Sequence, residues 1–317
     1  MISLHSPSIP SVSRGWRATS LGLESEWHCR LSEESREQLT QAVREALASD
    51  QSLAEVRASA ELREALSGDL DPLRQELTIG RGFVIQQGLD LAGLSAGEGK
   101  ILYWLLGQCL GEPLAQNVQG TVLYDVRDTG RSVESGARFS ATNADSSFHT
   151  DASFAERQVD LVGLLCLQTA LQGGVNQLVD GRTVWEELAA QHPEALATLA
   201  QQFHVDRRGG ARDGEAPTAS YPILECRGAE PVFRYLRYWI EAGHEKAGKP
   251  LTASQRCALD LLDVTLRRPE LRAEFALRPG EILWVNNHWI FHSRTAFQDH
   301  PEPERRRHLL RLWLAAR

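Results

Sequence analysis

The sequence predicts a mainly β protein with peripheral helices, and three observations carry that prediction. Helical patterns are concentrated before Gly111. From Phe148 onward, short apolar runs separated by Gly- and Pro-marked turns dominate. No Gly-x-Gly-x-x-Gly follows a strand pattern, so an open dinucleotide-binding sheet is not supported. No internal repeat or low-complexity tract breaks this order.

The elements follow in turn. Residues 1–30, with Pro7, Pro10 and many serines, read as an irregular or short-strand lead-in. Residues 32–48 start with Ser32 and the acids Glu33 and Glu34, and carry Leu39, Val43, Ala46 and Leu47 at helical spacing. That is a capped amphipathic helix. A second helix falls within 53–66 and a short third at 70–77. Residues 82–86 are a strand, and a helix runs from Gly97 to about Leu110, where Gly111 and Pro113 stop it. Residues 121–126 alternate as a strand, and 127–147 are polar and turn-rich, as expected of an active-site loop. The apolar run 161–167 is a buried strand. A turn at 172–174 leads to a strand at 177–180. Helices open at Thr183 and at Pro193, the latter to about Gln202. Residues 203–205 are strand-like. The Gly-rich stretch 206–220 is expected to be a mobile loop and a candidate lid. A strand at 231–235, a helix at 252–268, a tight turn at 278–281, a strand at 282–285 and a final strand at 308–315 complete the chain.

At ~150 residues per domain, 317 residues suggest two domains. The candidate ligands and cations discussed below are spread from His149 to Arg311, so one core must unite them. The expectation is a single catalytic domain over 1–317, with 1–80 a helical lead-in packed on a core of 81–317. The net charge is −8, from 34 Lys+Arg against 42 Asp+Glu. That balance weighs against non-specific nucleic-acid binding, which needs a basic footprint. No run of ~18 apolar residues is present, so no membrane span is expected. The N-terminal residues lack the continuous apolar core of a signal peptide. The five cysteines are odd in number and contain no Cys-x-x-Cys, against a disulfide framework or a zinc ribbon. Each is expected to be a small core side chain in a reducing cytoplasm.

The strongest chemical signal is Phe148-His149-Thr150-Asp151. In a strand, residues two apart share a face, so His149 and Asp151 project together. His292 is the candidate third ligand. Two imidazoles and one carboxylate on one side of a metal leave three positions open, which suits a non-haem Fe(II) centre that binds a cosubstrate and oxygen together. A single His-x-Asp is common and means little alone. Catalytic zinc uses the same ligand types, although no His-Glu-x-x-His helix is present. The second signal is the set Arg305, Arg306, Arg307 and Arg311 after His292. An oxygenase of this kind needs a cation for the far carboxylate of a keto-acid cosubstrate, and the planar fork of Arg pairs with carboxylate oxygens bidentately. Arg307 and Arg311 share a face of the last strand, with Arg305 on the same parity at its loop end. The alternative reading is a basic surface patch.

Taken in order, these residues resemble the taurine dioxygenase/TfdA family, the clavaminate synthase-like branch of the Fe(II)/2-oxoglutarate dioxygenases. The resemblance rests on His149-x-Asp151, the Gly173-Gly174 turn, Pro279-Gly280-Glu281 before Asn286-Asn287, the segment His292 to Phe297, and Arg307 with Arg311. Gly82-Phe83-Val84 and Gly111-Glu112-Pro113 also look familial, so it runs from about Gly82 to the C-terminus. It implies a double-stranded β-helix, a jelly roll with helices outside, in agreement with the element pattern. It also implies Fe(II) on His149, Asp151 and His292, with 2-oxoglutarate and O2 as cosubstrates. Arg307 would then pair with the C5 carboxylate of 2-oxoglutarate. Asn176 stands where many relatives place a Thr that touches the same molecule. Arg311 would face an acidic group of the substrate.

With Asp151 present, hydroxylation is the default, because halogenating relatives carry a small residue there. Desaturation, epoxidation and ring closure stay open. For the substrate, Asn143 and Arg294 are further candidates, with Ser140 and Thr142 nearby. The segment Arg234 to Trp239 is either packing or a wall for a small anionic or zwitterionic molecule. An amino acid or related carboxylate is the expected substrate class. Self-association stays open. A zinc hydrolase and a non-catalytic jelly-roll binding protein are the rival functions.

Overall fold

The computed structural model of the chain describes residues 15–49, 51–132, 138–207, 215–228 and 230–317. Two sheets form its centre. The larger has seven strands, in the order His28–Arg30, Phe83–Gln87, Ile282–Asn286, Leu161–Gln168, His308–Ala315 and Glu112–Pro113, with Leu123–Val126 also paired to His308–Ala315. The smaller has four, in the order Arg272–Phe275, Asn176–Asp180, Ile290–Arg294 and Ser146–His149. All pairings in them are antiparallel except that of His28–Arg30 with Phe83–Gln87.

Period-two alternation explains how these strands are buried on both faces. Phe83, Ile85, Leu283, Val285, Leu309 and Trp313 of the large sheet meet Leu178, Ala273, Phe275 and Ile290 of the small one in a shared core. Their neighbours Val84, Ile282, Trp284, Leu310 and Leu312 face the other way, onto the N-terminal helices Glu33–Ala48, Ala60–Ala65, Ser67–Thr78 and Ala96–Leu110. Val179 and Phe291, on the outer face of the small sheet, pack with the helices Gly181–Gln191, Pro193–Leu199, Arg237–Lys246 and Ala253–Leu266. Two facing sheets jacketed by helices make a jelly roll, as the sequence predicts.

Local chemistry places the helices. Ser32 caps Glu33–Ala48 by accepting from the Ser35 N–H. Ser95 and Glu98 form a reciprocal capping box at Ala96–Leu110, and Thr252 and Gln255 do the same at Ala253–Leu266. Asp180 ends its strand and caps the next helix through Arg182. The same buried carboxylate accepts the backbone N–H of Trp16, and Thr183 donates to the Trp16 carbonyl. Within the lead-in, the segment at Trp16 is thereby tied to the end of a small-sheet strand and to the helix that follows it.

Several elements differ from expectation. Arg237–Lys246 is a helix that no pattern announced, and Leu224–Arg227 and Arg272–Phe275 are short unforeseen strands. The helix from Pro193 ends at Leu199, and the following strand is Gln202–Asp206. Residues 208–214 of the expected lid lie outside the described residues. Its far end is not loop: Thr218–Pro222 pairs with Gln202–Asp206, and none of the described residues of 206–220 lines the cleft discussed below. Cys226 and Cys257 are exposed, not core side chains, whereas Cys109 and Cys166 are buried as expected. No helix among the described residues is long and apolar enough to cross a membrane.

Candidate metal centre and cleft

The inner face of the small sheet sets out the site. His149 lies directly opposite His292 in the register, and the next inward position, Arg294, pairs with Asn176. The two imidazole centroids are 4.3 Å apart. His149 Nδ1 lies 2.8 Å from the Ser147 carbonyl. A carbonyl only accepts, so Nδ1 carries the proton and Nε2 keeps its lone pair for a cation.

Asp151 arrives differently from the expected strand alternation. The strand ends at His149, and Asp151 sits in the turn that follows, ahead of Ala152 at φ 54°. Convergence with His149 survives because Asn287 holds the turn. The Asp151 N–H donates to Asn287 Oδ1 at 2.7 Å, and Asn287 Nδ2 donates to the carbonyls of Asp151 and Val159, both at 3.0 Å. Asp151 Oδ1 then lies 3.6 Å from His149 Nε2 and 3.9 Å from His292 Nε2. One ligand atom from each of the three residues falls within 4.8 Å of the others.

Electrostatics suits this donor set to a divalent ion. Burial pushes the Asp151 carboxyl upward, but Arg311, His292, His149 and the Trp313 indole N–H outweigh it and hold the group at about 2. Burial, aided by His149, pushes His292 down to about 3, and burial lowers His149 as well. Near neutrality the centre is one carboxylate and two neutral imidazoles, the ligand set of a 2-His-1-carboxylate metal site.

Arg307 lines the same cleft at 5% exposure. Its backbone N–H is held by Asp299 at 2.7 Å, and its guanidinium lies 5.1 Å from the Phe297 ring centroid. Burial lowers it to about 10, so it stays charged near neutrality. Its Nη1 is buried without a hydrogen-bond partner. A buried cation with an unused donor is an anion receptor. The double-glycine turn serves this arrangement. Gly173 and Gly174 both have positive φ, and a Cβ on Gly174 would lie 3.2 Å from Arg307 Nε.

The other predicted residues separate into those in the cleft and those outside it. Asn176 lines the cleft, its amide donating to the Phe275 carbonyl at a long 3.5 Å. Arg311 also lines it, but Nε is committed to Gln116 at 2.8 Å and Nη1 to Asp151 Oδ2 at 3.3 Å. Arg294 is in the cleft wall, yet its guanidinium donates to the carbonyls of Thr142, Ala144 and Thr295. That makes it a staple for the preceding loop. Asn143 is exposed and does not line the cleft; its carbonyl accepts from the Phe297 N–H. The staple instead leaves Arg138, Phe139 and Ser140 facing inward. Arg305 lies in a 3-10 turn beside Glu302, away from the site. Of 234–239, Leu236 and Trp239 line the cleft. The cations do not: Arg237 pairs with Glu241, Asp260 and Asp263, and Arg234 donates to Ala155 and Glu156 carbonyls.

Trp313 was not foreseen. Its Nε1 donates to Asp151 Oδ2 at 2.7 Å. The available signal was its parity with Arg311 on the final strand. Asn287 was visible only as one of a pair of asparagines, and Gln116 carried no signal.

Comparison with known proteins agrees with this geometry. The family model described as taurine catabolism dioxygenase TauD, TfdA family, matches residues 31–313, so the match includes the N-terminal helices as well as the part from Gly82. FR-33289 synthase of Streptomyces rubellomurinus is 29% identical over 245 residues, covering 76% of this chain and 70% of that protein. Among solved structures, an asparagine oxygenase in complex with Fe(II), 2S,3S-3-hydroxyasparagine and succinate superposes with a TM-score of 0.68 at 20% identity, over 91% of this chain and 93% of that one. The non-haem iron oxygenase OrfP, in complex with Fe and α-ketoglutaric acid, gives 0.68 at 17% identity, over 92% and 94%.

Proposed function

The chain belongs to the taurine catabolism dioxygenase TauD/TfdA family, and from that premise we propose that it is an Fe(II)/2-oxoglutarate-dependent dioxygenase that hydroxylates a small amino-acid-like or other carboxylate substrate. One observation carries the reading. Three ligand atoms converge within 4.8 Å in the same cleft as a buried, charged Arg307 whose Nη1 has no partner. A keto-acid cosubstrate requires the second feature, whereas zinc-assisted hydrolysis as such does not.

In this reading His149, Asp151 and His292 hold the iron, the first two imidazole and carboxylate donors being pre-set by Ser147 and Asn287. Bound there, Fe(II) supplies O2 activation, coupling decarboxylation of 2-oxoglutarate to succinate with oxidation of an unactivated C–H bond. Arg307 takes the far carboxylate of 2-oxoglutarate through its open Nη1, with Asn176 beside it. Arg311 faces the substrate with the edge of its guanidinium not used by Gln116 and Asp151. Phe139, Leu236 and Trp239 exclude water from the reacting carbon. The hydroxyasparagine bound by the asparagine oxygenase supports the amino-acid class. We take the whole chain as one catalytic domain, since Trp16 is bonded to Asp180 inside the sandwich. A cytoplasmic location accords with five free cysteines.

The test is anaerobic loading with Fe(II), then O2 uptake and succinate release with a panel of amino acids and small carboxylates. Coupled uptake in the presence of one class, lost in His149→Ala together with Fe(II) binding, is the expected result. Turnover without O2 or 2-oxoglutarate would sink the oxygenase in favour of the zinc hydrolase.

A further inference from the structure

We propose that Trp313 is a positioning residue for the metal centre: its indole N–H holds Asp151 Oδ2 and leaves Oδ1 as the single oxygen offered to the ion. The inference rests on the reading that His149, Asp151 and His292 bind iron.

A carboxylate can bind a cation through one oxygen or both. The choice matters here. A keto acid that chelates and an oxygen molecule together need all three positions that a 2-His-1-carboxylate set leaves open. A second oxygen from Asp151 would take one of them. In the structure the two oxygens have different surroundings. Oδ1 faces the imidazoles, 3.6 Å from His149 Nε2 and 3.9 Å from His292 Nε2. Oδ2 accepts from Trp313 Nε1 at 2.7 Å, a short charge-assisted bond. The indole nitrogen is a donor only, so it neither competes for a metal nor releases the oxygen by changing tautomer.

The other groups near Asp151 do not duplicate this role. Asn287 holds only its backbone. Arg311 Nη1 is nearly equidistant from Oδ1 and Oδ2, at 3.4 and 3.3 Å, and does not distinguish them. Trp313 itself is firmly seated. It stands on the last long strand opposite Val162, its carbonyl accepts from Leu114 at 2.8 Å, and it is 5% exposed. The Arg311 guanidinium lies 4.8 Å from its ring centroid.

The experiment compares wild type, Trp313→Phe and a protein with benzothienylalanine placed site-specifically at 313, which keeps the ring shape and lacks the N–H. Fe(II) affinity is measured by anaerobic titration, and ligand geometry by the electronic absorption of the Co(II)-loaded proteins. Both replacements are expected to weaken Fe(II) binding about 10- to 100-fold. Both should also change the Co(II) spectrum, while thermal unfolding of the metal-free isostere stays close to wild type. Should Trp313→Phe not fold, the isostere alone decides. Wild-type affinity and an unchanged Co(II) spectrum in the isostere would overturn the role of Trp313 and leave the iron assignment standing. A wild-type protein that binds neither Fe(II) nor Co(II) would overturn the iron assignment itself.

Discussion

Asn287 grips Asp151 by both of its backbone polar groups, accepting from its N–H at 2.7 Å and donating to its carbonyl at 3.0 Å. Asn287 is itself fully buried, and its own N–H is tied to the Asp160 carbonyl at 2.9 Å. The carboxylate that completes the centre is thus located by a residue that never touches it. Asn287→Ala leaves the Asp151 N–H and the carbonyls of Asp151 and Val159 without these partners, at a cost of about 1–3 kcal/mol for each buried group left unpaired. Denaturant unfolding should show that loss, and Fe(II) titration a weaker site. A variant with unchanged Fe(II) affinity would mean the turn is held by something else.

Arg307→Lys keeps the positive charge but not the planar fork. We expect the KM for 2-oxoglutarate to rise at least about tenfold, with a smaller change in the KM for the second substrate, because a point charge cannot pair with both carboxylate oxygens. Steady-state succinate release, with each substrate varied in turn, checks this. An equal effect on both KM values would place Arg307 elsewhere in the chemistry.

Arg294→Met tests the staple. Three carbonyls, those of Thr142, Ala144 and Thr295, lose a charged donor. Hydrogen bonds to charged groups are worth more than neutral ones, so a stability loss of about 2–3 kcal/mol is expected. Limited proteolysis should also cut faster in the loop that carries Arg138, Phe139 and Ser140. An unchanged unfolding temperature combined with a substrate-specific KM effect would restore Arg294 to substrate binding.

A pH effect is expected at the sheet edge. The His308 imidazole, 2.7 Å from Asp125, together with Lys100, holds the Asp125 carboxyl down at about 2. A depressed carboxyl contributes stability above its unfolded value of about 3.9, and that contribution is lost as pH falls toward the folded value. Metal-free Asp125→Asn should therefore unfold at a lower temperature than wild type at pH 6. The gap should close between roughly pH 4 and pH 2. A gap that does not vary with pH would show that the pair contributes through packing alone.

What could be read ahead follows from which signals are local. Ser32 announces its helix because a cap bonds within its own first turn. Inner strands such as the one at 282–285 are legible as continuous apolar runs, because a strand buried on both faces needs apolar side chains at every position. Arg237–Lys246 escaped notice because Leu236, at its start, offers no capping side chain, and its face mixes cations with aromatics. The site divides in the same way. His149, His292 and Arg307 each carry a chemistry that few other roles require, and chain order linked them.

Sequence alone settled the kinds of atoms available: two imidazoles, a carboxylate and a carboxylate-binding cation on a β scaffold. Folding decided what each atom is free to do. Asn143 and Arg294 are neighbours in sequence terms to the metal strands, yet one points to solvent and the other is consumed by loop carbonyls. Trp313 carries no local sign beyond its parity with Arg311, yet it makes the shortest contact to the ligand carboxylate, from a position 162 residues away. The reason is physical. Residue type dictates which bonds a side chain can form, but strand register and the turns between strands dictate which partner it meets.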